Sequence, residues 1–394
     1  MLNMINNHSK IQKLIAKLCP DGVEFREIGK IVKILRGKRL TKNQLSDEEI
    51  YPVYHGGLEP LGNYSLSNRP ANTVMVINVG ASAGAVGYSG IDFWSSDGCF
   101  CVGHSDLLIS RYAYYALLCY ENILRSKVRF AGIPTLDASA VECIKIPVPP
   151  LAIQEEIVWI LDTFTNLEAE LEAELEARKI QYEYYRDELL TFGDEVERIE
   201  LGKVCTISSG GTPSRNKIEY WKDGNIPWLK SESCNNEPVS CADNYITLLG
   251  LKNSSAKLIE KNTTLMALVG ATIFKTAYLE FNSTTNQNIA FIKSDNSSFL
   301  YDKYIFYALT NLYKELKNIM RSYGMLNLTT LKKIKIPIPP LPEQERIVAI
   351  LDRFDALVND ISIGLPAELN ARRKQYEYYR NQLLTFKEKG NVPS

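Results

Sequence analysis

The chain repeats itself. IKIPVPPL at 144–151 recurs as IKIPIPPL at 334–341, and QYEYYRDELLTF at 181–192 recurs as QYEYYRNQLLTF at 375–386. The first pair is offset by 190 residues and the second by 194, so the second copy is four residues longer between its markers. Between those markers each copy places a Gln (154, 344), a Leu-Asp pair (161–162, 351–352) and a Phe (164, 354). Weaker echoes align EIGK at 27–30 with ELGK at 200–203, Gly37 with Gly210, and NTVMVINVGA at 72–81 with NTTLMALVGA at 262–271. A duplication of this period requires two related folding units, each with its own core. A length of 394 residues fits that count.

Each copy reads as a globular segment followed by a long helix. The globular segments, 20–143 and 193–333, hold short β-rich runs such as TVMVINV and TLMALV, punctuated by Gly, Pro, Asn and Ser. Short helical patterns follow over Arg111–Ser126 and Tyr301–Ser322. The connectors, 144–192 and 334–394, have helical periodicity. Ile157, Ile160, Phe164, Leu167 and Leu171 step by three and four, and the seam resumes at Leu175, Tyr182, Tyr185 and Leu189. Ile347, Ile350, Phe354, Leu357 and Ile361 begin the second seam; Leu369, Arg372, Tyr376, Tyr379 and Leu383 continue it. Such heptad-like seams favour a coiled coil, started by the Pro-Pro-Leu before each. Gly364 and Pro366 predict a kink or break in the second helix. The four extra residues either lengthen that helix or are absorbed in the break. Residues 1–19 read as a helical segment completing a cyclic repeat, since DGVEFREIG follows it as DEVERIELG follows the first long helix. The expected fold class is α+β: two mixed α/β domains in pseudo-twofold arrangement, separated by two long helices forming an antiparallel coiled coil.

Composition narrows the function. Hydrophobic residues make up 45% and charged residues 23%, which excludes global disorder. No run is apolar enough to span a bilayer; Ala71–Ile91, the longest uncharged stretch, reads as strand–turn–strand. No secretory signal is evident at the N-terminus, so the cytoplasm is the expected compartment. The eight cysteines form no C-x-x-C, and the three histidines add no metal-type pair, so no metal site is expected and burial is the reading for Cys99-x-Cys101. The net charge of −1 hides a division. Residues 154–190 hold 11 acidic and 3 basic side chains, a local charge of −8, which leaves +7 for the rest.

The duplicated I-x-I-P-x-P-P-L-x-x-Q and Q-Y-E-Y-Y-R…L-L-T-F, with SGGTPSRNKIEYW…GNIPWLK at 209–230, resemble the specificity (S) subunits of type I restriction-modification enzymes. The resemblance covers essentially the whole chain. It implies two target-recognition domains, each reading one half of a split double-stranded DNA site. It implies helices that form an antiparallel spacer and dock two methyltransferase (M) subunits, with restriction (R) subunits joining the assembly. The alternatives are a standalone DNA-binding regulator, an orphan specificity protein without a nuclease, and a coiled-coil scaffold with no DNA role.

Between Ile31 and Lys42 the chain carries Lys33, Arg36, Lys38, Arg39 and Lys42 without an acid, a pattern suited to phosphate contact or simply to a solvated loop. The matching segment of the second half, 208–217, offers Ser214, Arg215 and Lys217, with glycines that let backbone amides approach phosphate. Trp228, Lys230, Asn286, Gln287 and Asn288 are further DNA-binding candidates, as are His55, Arg125, Lys127 and Arg129; a buried turn is the competing reading for the first set. The domains differ strongly at these loops, so they are expected to read different sequences. The tyrosines at 182, 184, 185, 376, 378 and 379 read as seam and docking residues, and the acidic face Glu168–Glu176 as a solvated surface away from DNA. Gly80-Ala-Ser-Ala-Gly84 fits a nucleophile elbow, but no suitable helix follows and the aligned repeat is Gly270-Ala-Thr-Ile-Phe274. No phosphate loop, aminomethyltransferase motif or nuclease triad is found, so no catalytic residues and no cofactor are assigned. The S-adenosylmethionine and ATP chemistry that the resemblance implies belongs to partner chains.

Overall fold

The computed structural model describes residues 2–319, 324–360 and 362–390. It divides into two compact units. Unit 1 comprises Met1–Glu172 with Glu368–Ser394, and unit 2 comprises Ala173–Ala367.

In unit 1 the strand Phe25–Glu27 pairs antiparallel with Lys145–Pro147, so the repeated I-x-I-P motif is an edge of the domain it follows. A four-stranded antiparallel sheet runs in the order Ile34–Arg36, Cys99–Val102, Thr73–Ile77, Val86–Ser89. A second, three-stranded sheet places Tyr51–Tyr54 between Asn63–Tyr64 and Trp94–Ser95, the last pairing parallel. All five residues of Thr73–Ile77 are buried, which explains a run of apolar residues without alternation. Val74 and Val76 join the core beneath the helix Ser110–Leu118, where Tyr112, Ala113 and Ala116 are buried. Met75 and Ile77 point the other way, onto Phe93, Cys99 and Cys101. Those two cysteines are core residues, and all eight thiols are free.

Unit 2 repeats this topology. Arg198–Glu200 pairs with Lys335–Pro337. The larger sheet runs Cys205–Ser209, Ile289–Ser294, Thr263–Ala267, Thr276–Leu279, with Glu237–Val239 added in parallel as a fifth strand. The smaller sheet is Tyr245–Ile246, Ile226–Leu229, Thr284–Thr285. The helical pattern after the sheet resolves into Asp302–Asn311 and Tyr313–Ile319; the expected end of that pattern, at Ser322, lies outside the described residues.

The repeated helical markers are clamps. In unit 1 the fully buried Gln154 donates through Nε2 to the carbonyls of Leu107 (2.9 Å) and Pro149 (2.7 Å) and accepts from the Ile109 N–H (2.9 Å). In unit 2 Gln344 does the same with Phe299 (3.0 Å), Pro339 (2.8 Å) and the Tyr301 N–H (2.9 Å). The Leu-Asp pair continues the pattern. Asp162 accepts from Arg111 Nε (2.7 Å) and the Tyr115 hydroxyl (2.5 Å), and Asp352 from the Tyr307 hydroxyl (2.6 Å) and Lys303 Nζ (2.9 Å). Each helix start is thereby fixed to the globular part of its own unit.

The first connector is one continuous helix, Leu151–Leu189, of 39 residues, or about 58 Å at 1.5 Å per residue. The second is two helices of 19 residues each, Leu341–Asn359 and Leu365–Leu383, so the four extra residues fall in the turn between them. Asp360 closes that turn by accepting from the N–H of Ser362 (2.7 Å) and Gly364 donates back to the Asp360 carbonyl (3.0 Å). A Cβ on Gly364 would lie 2.5 Å from the Ala356 carbonyl, which is why glycine stands there. Ile361, assigned to the seam from periodicity, lies outside the described residues.

Within unit 1 the two helical segments pack antiparallel. Phe164 stacks on Tyr379 at 5.3 Å, while Arg373 reaches Glu168 (2.6 Å) and Glu172 (2.5 Å) further along. Part of the acidic face is therefore paired inside the chain rather than free. Glu174 is likewise paired with Arg178 (3.1 Å), one turn away on the same helix. The N-terminal helix Leu2–Leu18 joins this core through Ile11, with Lys10 paired to Glu156. Within unit 2, Phe354 stacks on Tyr185 at 5.5 Å and meets Tyr182 at 6.3 Å, in a core shared with Ile347 and Leu351. Tyr182, Tyr376 and Tyr379 are thus packing residues, whereas Tyr184 and Tyr378 are exposed.

Candidate nucleic-acid interface

The same backbone device presents a loop in each unit. After the strand Ile34–Arg36 the chain turns at Gly37, where a Cβ would lie 1.9 Å from the Ser96 carbonyl and 2.4 Å from that of Ser95. The next N–H, of Lys38, donates to the Ser95 carbonyl at 2.9 Å, and the Lys38 carbonyl accepts from the Trp94 indole at 2.7 Å. Arg69 adds a bond from its guanidinium to the Arg36 carbonyl at 2.6 Å. The main chain is held from three sides while the side chains of Arg36, Lys38, Arg39 and Lys42 remain exposed. No acid lies among them, so their charges add.

In unit 2 Gly210 takes the place of Gly37: a Cβ would lie 2.1 Å from Thr285 Oγ1 and 2.2 Å from its carbonyl. The Gly211 N–H donates to the Thr285 carbonyl (2.8 Å), and the Gly211 carbonyl accepts from the Trp228 indole (3.0 Å). Thr285 is the counterpart of Ser95 at the 190-residue offset. Trp228, a DNA-contact candidate for which the sequence also allowed a buried turn, is thus buried against this loop. It is 2% exposed, meets Trp221 edge-on at 5.0 Å and anchors the loop from beneath. The loop that follows carries exposed Ser214, Arg215 and Lys217. Arg215 lies 5.8 Å from the centre of the Trp221 ring. Lys217 donates to the Tyr220 hydroxyl at 3.0 Å, which raises its pKa further and keeps it cationic.

The remaining candidates border these loops unevenly. Gln287 is exposed and accepts from the Thr212 hydroxyl at 2.5 Å, which ties it to the Gly210 loop. Asn286 is 9% exposed, and its side-chain oxygen accepts from the Asn288 N–H at 3.0 Å, so it builds the turn rather than a readable surface. Lys230 and Asn288 are half-buried. In unit 1 the position equivalent to Gln287 is Asp97, whose carboxylate lies 3.1 Å from His55 Nδ1; the Gly98 N–H approaches the same nitrogen at 3.1 Å. Sequence reasoning missed Asp97, although the 190-residue offset from Gln287 marks it. Arg125 and Arg129 are exposed but paired, with Glu121 (2.8 Å) and Asp137 (2.7 Å), and Lys127 is exposed between them. Among the described residues no group of three or more His, Cys, Asp or Glu is arranged to hold a metal, and no helix is long and apolar enough to cross a membrane.

The comparisons agree with the duplication. The family model for the type I restriction modification DNA specificity domain matches twice, over residues 20–177 and 193–371. A type I restriction enzyme EcoR124I/EcoR124II specificity subunit of Escherichia coli is 42% identical over 258 residues, covering 61% of this chain and 63% of that one. A putative type I restriction enzyme specificity subunit of Haemophilus influenzae is 31% identical over 97% of this chain and 100% of its own length. The crystal structure of a type I restriction-modification S subunit from M. genitalium has the same fold, with a TM-score of 0.62 over 92% of this chain and 96% of that chain, at 19% identity. Two family domains on one chain, each ending in the same clamped helix, make this protein a member of the type I restriction-modification DNA specificity family.

Proposed function

We infer that this chain is the DNA specificity subunit of a type I restriction-modification complex. The chain itself is non-catalytic, and it recognises a bipartite, asymmetric site. The observation that carries the reading is the loop anchor found once in each unit: a glycine pressed on a strand end, a backbone bond, and a buried indole beneath. One scaffold thus carries two different sets of side chains, as reading two different half-sequences requires. Arg36, Lys38, Arg39 and Lys42 neutralise backbone phosphates in one half, and Arg215 and Lys217 do so in the other, where Ser214 offers a hydroxyl donor. Gln287, oriented by Thr212, suits an adenine edge. His55, Arg125, Lys127, Arg129, Lys230 and Asn288 border the contact, while Trp228 and Asn286 position it.

Methyl transfer and cleavage belong to partner chains. In this reading two methyltransferase subunits dock on the helices, restriction subunits join through that assembly, and the complex works in the cytoplasm. Reconstitution tests the assignment. The isolated chain is expected to transfer no methyl groups, and addition of the partner methyltransferase to yield site-specific methylation. Robust methyl transfer by the partner-free chain, or failure to co-purify with a methyltransferase, contradicts it.

A further inference from the structure

Arg129 and Thr135 face each other in unit 1 as an antiparallel bridge, closed by backbone bonds of 2.9 Å and 3.0 Å. They pinch off a tip, residues 130–134, that turns at Gly132 with φ of +93° and open space on the side where a Cβ would stand. Phe130 and Ile133 flank that turn and are 75% and 70% exposed. The stems are firm. Val128 and Leu136 are buried in the core, the Gly80 N–H donates to the Pro134 carbonyl (2.9 Å), and the Leu136 N–H donates to the Asn78 carbonyl (2.8 Å). Two large apolar side chains are thus held out in water on a rigid stalk, an exposure that is unfavourable until something covers it.

What surrounds the tip identifies the cover. Lys127 lies exposed on the stem leading into it, between Arg125 and Arg129, which are paired with Glu121 and Asp137 at the surface. Its root rests on the turn at Asn78–Gly80, and Val79 of that turn also borders the His55–Gly98 contact. An apolar apex beside the residues assigned to DNA, on a stem that carries Lys127 and two surface Arg–carboxylate pairs whose guanidiniums can turn to phosphate, matches side chains that wedge between stacked base pairs while cations hold the flanking phosphates. We propose that Phe130, backed by Ile133, inserts between adjacent base pairs at the half-site read by unit 1. The proposal rests on the reading of the chain as a DNA specificity subunit and goes beyond it by naming a DNA-deforming residue.

The test uses the chain assembled with its methyltransferase and duplexes bearing the mapped site. 2-Aminopurine is moved one position at a time through the unit 1 half-sequence. The wild-type complex is expected to raise fluorescence at one step distinct from the methylated base, which is unstacked for a different reason. Phe130→Ala should abolish that signal and weaken binding about tenfold, the range for loss of one aromatic–base stack. Phe130→Leu should retain part of both. The salt dependence should stay unchanged, because no phosphate contact is removed. Unchanged affinity and an unchanged fluorescence profile in Phe130→Ala overturn the wedge. So does loss of methyltransferase co-purification in that variant, which would make the tip a protein contact. If the wild-type complex binds no DNA site at all, the specificity reading fails first, and the wedge with it.

Discussion

Gly37 and Gly210 are the residues on which both proposed DNA-contact loops turn, and a methyl group is the smallest change that tests them. At Gly37 it would lie 1.9 Å from a main-chain carbonyl, so the loop must move. Gly37→Ala is expected to destabilise unit 1 by about 1–3 kcal/mol, the range for overpacking, and to weaken binding at one half-site only. Denaturant unfolding, together with binding to duplexes altered in either half, checks both effects. Replacing Arg36, Lys38 and Arg39 with glutamine should lower the slope of log K against log salt by roughly 2–3, at about 0.9 per phosphate contact. An unchanged slope in the assembled complex would remove this loop from the interface. The cations and the pairing of the glycines are legible in the sequence, because charge and repeat position need no structure to be seen. The burial of Trp228 is not, because it depends on a carbonyl at Gly211, on a neighbouring segment that only folding brings beneath the ring. The turn role of Asn286 is hidden for the same reason: its side-chain oxygen accepts from the Asn288 amide.

At the scale of elements, the Pro-Pro-Leu-x-x-Gln start of each long helix is a joint. Gln154→Ala would strand the Leu107 and Pro149 carbonyls and the Ile109 N–H in the interior, a loss on the order of 2–4 kcal/mol. The effect should appear in the unfolding of unit 1 and leave the matching joint at Gln344 intact. The sequence marks the helix start, the glutamine and the aspartate as repeated, but their partners lie some 45 residues upstream and only the fold reveals the joint. Periodicity also leaves open whether the second helix is longer or interrupted. The structure answers that it is interrupted: the four-residue difference falls between the helices Leu341–Asn359 and Leu365–Leu383, where Gly364 folds onto the end of the preceding helix.

At the scale of the whole molecule, we propose that helix length sets the spacing of the two half-sequences. Four residues inserted after both Leu167 and Leu357 preserve the apolar seam, because a four-residue insertion is a tolerated stutter. They add about 6 Å at helical rise, or between one and two base pairs. Methylation should then fall on the same two half-sequences, with the nonspecific gap longer by one or two base pairs. A folded, active insertion variant that keeps the original gap shows that the helices do not set it. Sequencing the methylated bases of a genome with and without its gene tests whether this chain chooses where a partner methylates DNA. One bipartite, asymmetric motif is expected to lose its methylation with the gene and to regain it when the gene is restored. A methylation pattern that is the same in both strains would contradict it.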